Sequence, residues 1–188
     1  MAVPTSKIAA VVVASAATVF ALLVLLQGAH STARFAEDNA CAALRPDPLT
    51  AALAAATPAF EVSDLEGKKV SLRQFRGKPV LVSFFATWCP PCVEEMPSLE
   101  LLARRLGDKA KVLVVSVDED EDALKQFFAK GTNTQVTRDE SRAVPGMFGT
   151  SKFPESFLIG PDGKVNHAFI NKRDWSIPEA VTCVAGIK

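Results

Sequence analysis

Two cysteines separated by two prolines, Trp88-Cys89-Pro90-Pro91-Cys92, carry the clearest chemistry in the chain. Thiols at this spacing close a small disulfide ring by exchange, with a thiolate as the attacking group. Such a pair serves redox chemistry when the first sulfur sits at a helix start. There the dipole and the unpaired N–H groups favour the thiolate. On that reading Cys89 is the exposed nucleophile, and Cys92, one turn on, is the resolving thiol. Cys-x-x-Cys is also half of a zinc site, but a structural site takes four ligands. The other candidates, Cys41, Cys183, His30 and His167, include no second close pair. Two inert buried cysteines would leave Trp88 and the double proline unexplained.

The elements that must hold this pair lie on either side of it. Pro79 to Ala86 is a continuous apolar run, the pattern of a strand buried on both faces. Val93 to Ala103 reads as a helix. Strand, Pro-rich turn and helix is the layout of thioredoxin-like redox motifs. Lys111 to Val117 is a second buried strand, which argues for a parallel crossover unit. Phe60–Leu65 and Lys69–Leu72 flank the turn Glu66-Gly67-Lys68 and predict a hairpin. A second hairpin is expected around Pro161-Asp162-Gly163-Lys164, from a strand after Pro154 to Val165–Ile170. Gln135–Thr137 reads as a short strand, and Ser141–Phe148 as a short helix interrupted at Pro145. Asp118 to Asp122 reads as a solvated acidic loop leading into a helix with Leu124, Phe127 and Phe128 on its apolar face. Asp174 to Ile187 reads as the last helix, with Ser176 as its cap and Pro178 in its first turn.

The chain has 188 residues, 48 % of them hydrophobic and 22 % charged, enough for one core plus appendages. Its formal net charge of zero offers nothing to nucleic acid. An even cysteine count suits an oxidising compartment. Ile8 to Leu26 runs without a charge and, as a helix, would span about 28 Å, close to a bilayer's hydrocarbon thickness. It reads as a membrane anchor with the Lys7 end in the cytoplasm. The rival is a signal peptide cleaved near Ser31-Thr32-Ala33. The expected organisation is residues 1–30 as anchor, 31–57 as an Ala- and Pro-containing tether with a short helix at Thr50–Ala56, and 58–188 as the domain.

From Pro58 onward the chain resembles the membrane-anchored, thioredoxin-like TlpA/ResA/CcmG proteins of bacteria. The resemblance rests on Leu65-Glu66-Gly67-Lys68, Gly77-Lys78-Pro79-Val80, the Cys89–Cys92 motif, Glu95-Met96-Pro97, Phe153-Pro154-Glu155-Ser156-Phe157-Leu158-Ile159 and Pro161-Asp162-Gly163-Lys164. It implies an α/β thioredoxin fold with an added N-terminal β-hairpin and a central insertion. It also implies periplasmic thiol–disulfide exchange, usually as a reductant of a narrow set of proteins such as apocytochrome c or copper-site proteins. Re-reduction by a transmembrane electron donor is implied, and no cofactor or metal. Pro154 matches the family's cis-proline, beside which a substrate backbone pairs. Pro97 matches its helix-kinking proline. Trp88, Pro90 and Pro91 frame the redox pair. Many thioredoxins carry an acid six residues before the first cysteine, as proton acceptor for the second thiol; here that position is Ser83. Glu95, as in ResA-like members, and Glu155, as in CcmG-like members, are the candidate substitutes, against the alternative of plain solvated side chains.

Cys41 and Cys183 are expected to form a second, structural disulfide between an N-terminal helix and the last one. Pairing with another chain, or burial as small hydrophobes, are the alternatives. Two rival functions remain open. One is copper binding by the two thiolates, with Met147 and His167 as further ligands. The other is a thiol peroxidase of related fold, which would need a lone peroxidatic cysteine beside Thr or Ser.

Overall fold

Every residue from Val80 to Phe85 is buried, and alternation divides them between two cores. Leu81 and Phe85 join one apolar cluster; Val80, Val82 and Phe84 join the other. A strand with no polar face must lie inside a sheet covered on both sides, and the rest of the fold supplies that cover. The computed structural model describes residues 18–28 and 39–187. The chain divides into two units, Met1–Asp38 and Asn39–Lys188.

The second unit contains α1 (Ala51–Ala55), β1 (Glu61–Asp64), β2 (Lys69–Ser71), a 3₁₀ turn (Leu72–Phe75), β3 (Val80–Phe85), α2 (Pro90–Leu106), β4 (Lys111–Ser116), α3 (Glu121–Phe127), β5 (Gln135–Arg138), α4 (Ala143–Met147), β6 (Glu155–Ile159), β7 (Val165–Ile170) and α5 (Pro178–Gly186). The strands form one seven-stranded sheet in the order β2-β1-β5-β4-β3-β6-β7. β3, β4 and β5 run parallel, β6 returns antiparallel beside β3, and β7 pairs antiparallel with β6. β1 and β2 form the expected hairpin and dock antiparallel on β5. Its turn closes because Asp64 accepts from the N–H groups of Glu66 and Lys68, while Gly67 takes φ +83°.

α2 and α5 cover one face of the sheet, through Met96, Leu99, Leu102 and Leu106 from α2 and Ala180, Cys183 and Val184 from α5. Leu53 of α1 and Val144 of α4 pack on the other face, among Phe84, Phe148 and Phe157. α2 continues through Pro97 to Leu106, so that proline does not end the helix; it removes one backbone donor.

Three boundaries differ from the sequence reading. The compact unit begins at Asn39, not at Pro58. Residues 39–57, expected as tether, are bonded into the domain: Asp47 N–H donates to the Ala168 carbonyl at 2.7 Å, and the Asp47 carboxylate accepts from Ile170 N–H at 2.7 Å. The last helix starts at Pro178 with Ile177 as its cap. Ser176 does not cap it, because Asp174 takes both its hydroxyl and its N–H, at 2.6 and 2.9 Å. Finally, Pro145 lies within α4 instead of interrupting a longer helix.

In the first unit, residues 18–28 are helical. Most of the uncharged run from Ile8, the candidate cleavage site Ser31-Thr32-Ala33 and His30 lie outside the described residues. Among the described residues, no helix is long and apolar enough to cross a membrane.

Cys41 and Cys183 are bonded to each other, 142 residues apart in sequence. Both are buried in the cluster that α2 and α5 share, so the bond lies within the core and not at its margin. On a chain-entropy basis a loop of this length stabilises by about 5 kcal/mol at most. A Cys41→Ser/Cys183→Ser double variant should therefore lose roughly 2–5 kcal/mol in chemical unfolding. Unfolding at the wild-type denaturant concentration would show that the bond contributes nothing.

Candidate active site

β3 ends at Phe85, and a tight turn follows in which Cys89 N–H donates to the Ala86 carbonyl at 3.2 Å. Cys89 is the N-cap of α2, and Pro90 and Pro91 occupy its first positions. Their fixed φ suits a helix start. The Cys89 and Cys92 sulfurs are bonded to each other. Cys89, expected as the exposed thiol, is only 5 % accessible in this disulfide form, against 1 % for Cys92.

The electrostatics of this helix start are also leaner than the sequence reading supposed. Pro90 and Pro91 have no N–H. The N–H groups of Cys92 and Val93 both donate to the Cys89 carbonyl, at 3.0 and 3.1 Å. No backbone donor of this first turn remains for the Cys89 sulfur. In this disulfide form, what the turn offers a Cys89 thiolate is the helix dipole.

The turn is held from β4. Asp118, one of the acidic run read as solvated, is 1 % exposed. Its carboxylate accepts from Thr87 N–H at 3.0 and 3.1 Å, the Thr87 hydroxyl at 2.6 Å and the Ser116 hydroxyl at 2.6 Å. The sequence signal was its place directly after a buried strand, where an acid can reach the neighbouring strand's end. Trp88 stands 54 % exposed above the turn. Its ring meets Phe153 edge-on at 6.1 Å, and the Arg142 guanidinium lies 5.4 Å above it. The Phe153–Pro154 bond is cis. The Trp88–Phe153 contact therefore brings the Pro154 loop against the Cys89 turn.

The two candidate carboxylates part company. Glu95 lies on the buried face of α2, one turn beyond Cys92. Residues three apart on a helix have Cβ atoms about 5–6 Å from each other. Glu95 Oε1 accepts from Arg173 N–H and from the Trp175 indole N–H, both at 2.8 Å. Burial raises its pKa from the ordinary 4.5 to about 7, and those two bonds, with the Arg173 and Lys172 charges, only partly oppose the rise. Glu155 is also buried, and desolvation raises its pKa. The Thr150 hydroxyl lies close enough to oppose that rise but makes no well-directed hydrogen bond. Glu155 pairs with Phe84 and alternates with Ser156 and Leu158, so it points to the sheet face opposite α2. Neither carboxylate is a solvated surface group, and only Glu95 shares a helix face with Cys92. Ser83, also buried, pairs across β3–β6 with Ser156. Trp175 and Arg173 were not singled out in the sequence, being some 80 positions from their partner.

Among the described residues, no group of three or more His, Cys, Asp or Glu is placed to hold a metal ion. Cys41 and Cys183, bonded to each other, are not ligands for the Cys89–Cys92 pair.

A family model described as AhpC/TSA matches residues 53–168. Thiol-disulfide oxidoreductase ResA of Bacillus anthracis is 37 % identical over 118 residues, covering 62 % of this chain and 68 % of that protein. The chain belongs to the AhpC/TSA family, among its ResA-like thiol–disulfide oxidoreductases. ResA of Bacillus subtilis is 34 % identical over 110 residues, 57 % of this chain and 62 % of that protein. Among solved structures, a putative thiol:disulfide interchange protein DsbE from Chlorobium tepidum superposes with a TM-score of 0.58 at 28 % identity, over 62 % of this chain and 83 % of that one. A putative thioredoxin from Neisseria meningitidis gives 0.57 at 34 % identity, over 63 % and 81 %. The α/β architecture is thioredoxin-like, as these neighbours are.

The raised Glu95 pKa has a stability consequence. In the unfolded chain this carboxyl ionises near 4.5, in the fold at about 7. Between those values the unfolded chain gives up its proton first, so folding stability falls as pH rises through the interval and levels off above it. The full loss is on the order of 3 kcal/mol. Glu95→Gln keeps an acceptor for both N–H groups and should remove this loss. Urea unfolding of the oxidised protein at about pH 5 and about pH 8 checks it. Equal pH dependence in the two proteins would contradict the shift.

Proposed function

We propose that this oxidoreductase works as a disulfide reductant of specific partner proteins, held at the periplasmic face of a bacterial inner membrane by its N-terminal segment. The observation that carries the reductive direction is the first turn of α2. With no N–H left for the Cys89 sulfur, the thiolate receives little local stabilisation. A reduced form that is poorly stabilised is a strong electron donor; oxidising members of such folds have the opposite balance.

The reaction runs as exchange. The Cys89 thiolate attacks one sulfur of a partner disulfide, forming a mixed disulfide and expelling the partner's first thiolate. Glu95 accepts the proton of the Cys92 thiol. The Cys92 thiolate then attacks the Cys89 sulfur, forming the Cys89–Cys92 bond and releasing the partner's second thiolate. Two electrons pass to the partner, and the pair is returned to dithiol by a transmembrane electron donor. No bound cofactor takes part. Trp88 and the Phe153–Pro154 backbone form the surface that receives the partner chain, with Pro90, Pro91 and Pro97 shaping the helix that presents the sulfurs. Glu155, on the other face of the sheet, takes no part in this proton transfer.

The Cys41–Cys183 bond supports an oxidising compartment, since such bonds do not persist where thiols are kept reduced. The uncharged run Ile8–Leu26 supports the anchor. The resemblance to ResA- and CcmG-like proteins points to partners in cytochrome c maturation or copper-site assembly.

Two measurements test this reading. Cys92→Ser, expressed in a bacterial periplasm, should accumulate partners linked through Cys89, and Cys89→Ser should accumulate none. Equal trapping by both variants would reverse or remove the assigned roles. The full chain should also fractionate with membranes and resist carbonate extraction. A soluble product starting near Arg34 would identify the apolar run as a cleaved signal.

A further inference from the structure

We infer that Trp175 is a positioning residue for the redox reaction: its indole N–H fixes the Glu95 carboxyl group so that Oε2, not Oε1, exchanges the proton with Cys92. The inference rests on the reading of Glu95 as proton acceptor. Trp175 is fully buried, and its one polar side-chain atom donates to Glu95 Oε1 at 2.8 Å. The Arg173 N–H donates to the same oxygen at 2.8 Å. Among the described residues no donor reaches Oε2. A proton on Oε1 would face two N–H hydrogens, so the acid form must carry it on Oε2. The two bonds also stop the carboxyl from rotating, which holds Oε2 in one direction.

The loop that brings these donors is tied to the same turn of α2. Trp175 N–H donates to the Ser98 hydroxyl at 3.2 Å, and that hydroxyl donates to the Glu95 carbonyl at 2.8 Å. From the other side, the Arg173 guanidinium donates to the carbonyls of Leu44, Arg45 and Ile170 and to the Asp47 carboxylate. The Trp175 ring is seated edge-on against Phe169 at 5.1 Å. Packing alone would be met by any large ring here. An indole N–H in such a place needs an acceptor, and it has one on the single buried carboxylate of α2.

The charged and titratable groups around Glu95 are few. Cys92 shares its helix. From the facing loop come Arg173, engaged with Asp47 and the carbonyls above, and Lys172, paired with Glu94 at 2.6 Å. Arg45 and Asp47 on the N-terminal segment meet Glu95 only through Arg173. Removing the indole donor therefore acts on Glu95 without disturbing another titrating group.

The test isolates the second step of exchange in the full-length protein in detergent. Reduced protein treated with Ellman's reagent releases thionitrobenzoate twice, once on attack by Cys89 and once when Cys92 resolves the mixed disulfide. Site-specific Trp175→benzothienylalanine keeps the ring shape and removes only the N–H; Trp175→Phe is the second variant. An anionic carboxylate that loses one donor becomes harder to ionise. The pH profile of the second release should move upward by about one pH unit, making it about tenfold slower near pH 6. The profiles should merge at alkaline pH, where the thiol ionises unaided. The first release should stay at the wild-type rate, as a general loosening of the fold would not allow. Glu95→Gln should abolish the inflection. If it does and both Trp175 variants keep the wild-type profile, the positioning role is overturned and the Glu95 reading stands. If Glu95→Gln leaves the profile unchanged, both fall.

Discussion

The redox end of the molecule depends on one buried carboxylate that does no chemistry. Asp118 closes β4, and it takes hydrogen bonds from Thr87 and Ser116 on both of its oxygens. Thr87 lies two residues before Cys89. The bonds pin the turn at the height where β3 stops, and the direction of α2 follows from that turn. Arg138 of β5 adds a second tie, from its guanidinium to the Asp118 carbonyl at 2.9 Å. Two neighbouring strands thus grip a loop that has no regular partner of its own. A buried carboxylate is costly unless donors surround it, and that cost fixes the loop: any other path would strand the charge.

Glu95 is buried to a similar degree but is served differently. Its two donors converge on one oxygen, where those of Asp118 are shared between two. Full satisfaction makes a fixed strut. Incomplete satisfaction leaves a group whose neutral and charged forms are close in free energy near neutral pH. Asp118 holds the turn in place, and under the proposed exchange Glu95 is the acid that carries the proton.

What the sequence showed well was local. The unbroken apolar runs of β3 and β4, the Glu66-Gly67-Lys68 and Pro161-Asp162-Gly163-Lys164 turns and the strand–turn–helix at Cys89 each follow from neighbours in the chain. What it hid was set by distant partners. Asp118 looked like one more charge in a solvated run, because its acceptor role needs Thr87 from the distant turn that follows β3. Ser176 looked like a helix cap, until Asp174 took both its donors. Trp175 looked like the start of a helix, because its partner lies on α2. The absence of N–H groups at Pro90 and Pro91 was readable from composition, yet its weight emerged only once the remaining donors of that turn were seen to be used.

Residues 39–47 show how a short segment ahead of the sheet joins the domain. Residues 39–43 are helical, Ala40, Cys41 and Leu44 join the core that α2 and α5 share, and Asp47 makes a single bridge to Ala168. Long-range ties hold them as well: the Cys41–Cys183 bond to α5, the Asp47 hydrogen bonds to β7, and the Arg173 guanidinium, which gathers the carbonyls of Leu44 and Arg45. Arg173 presents its side chain to this segment and its backbone N–H to Glu95. The segment and the redox helix therefore meet at one residue. An arginine with no free donor direction cannot serve one side while yielding the other, so the position of residues 39–47 and the environment of Glu95 are set together.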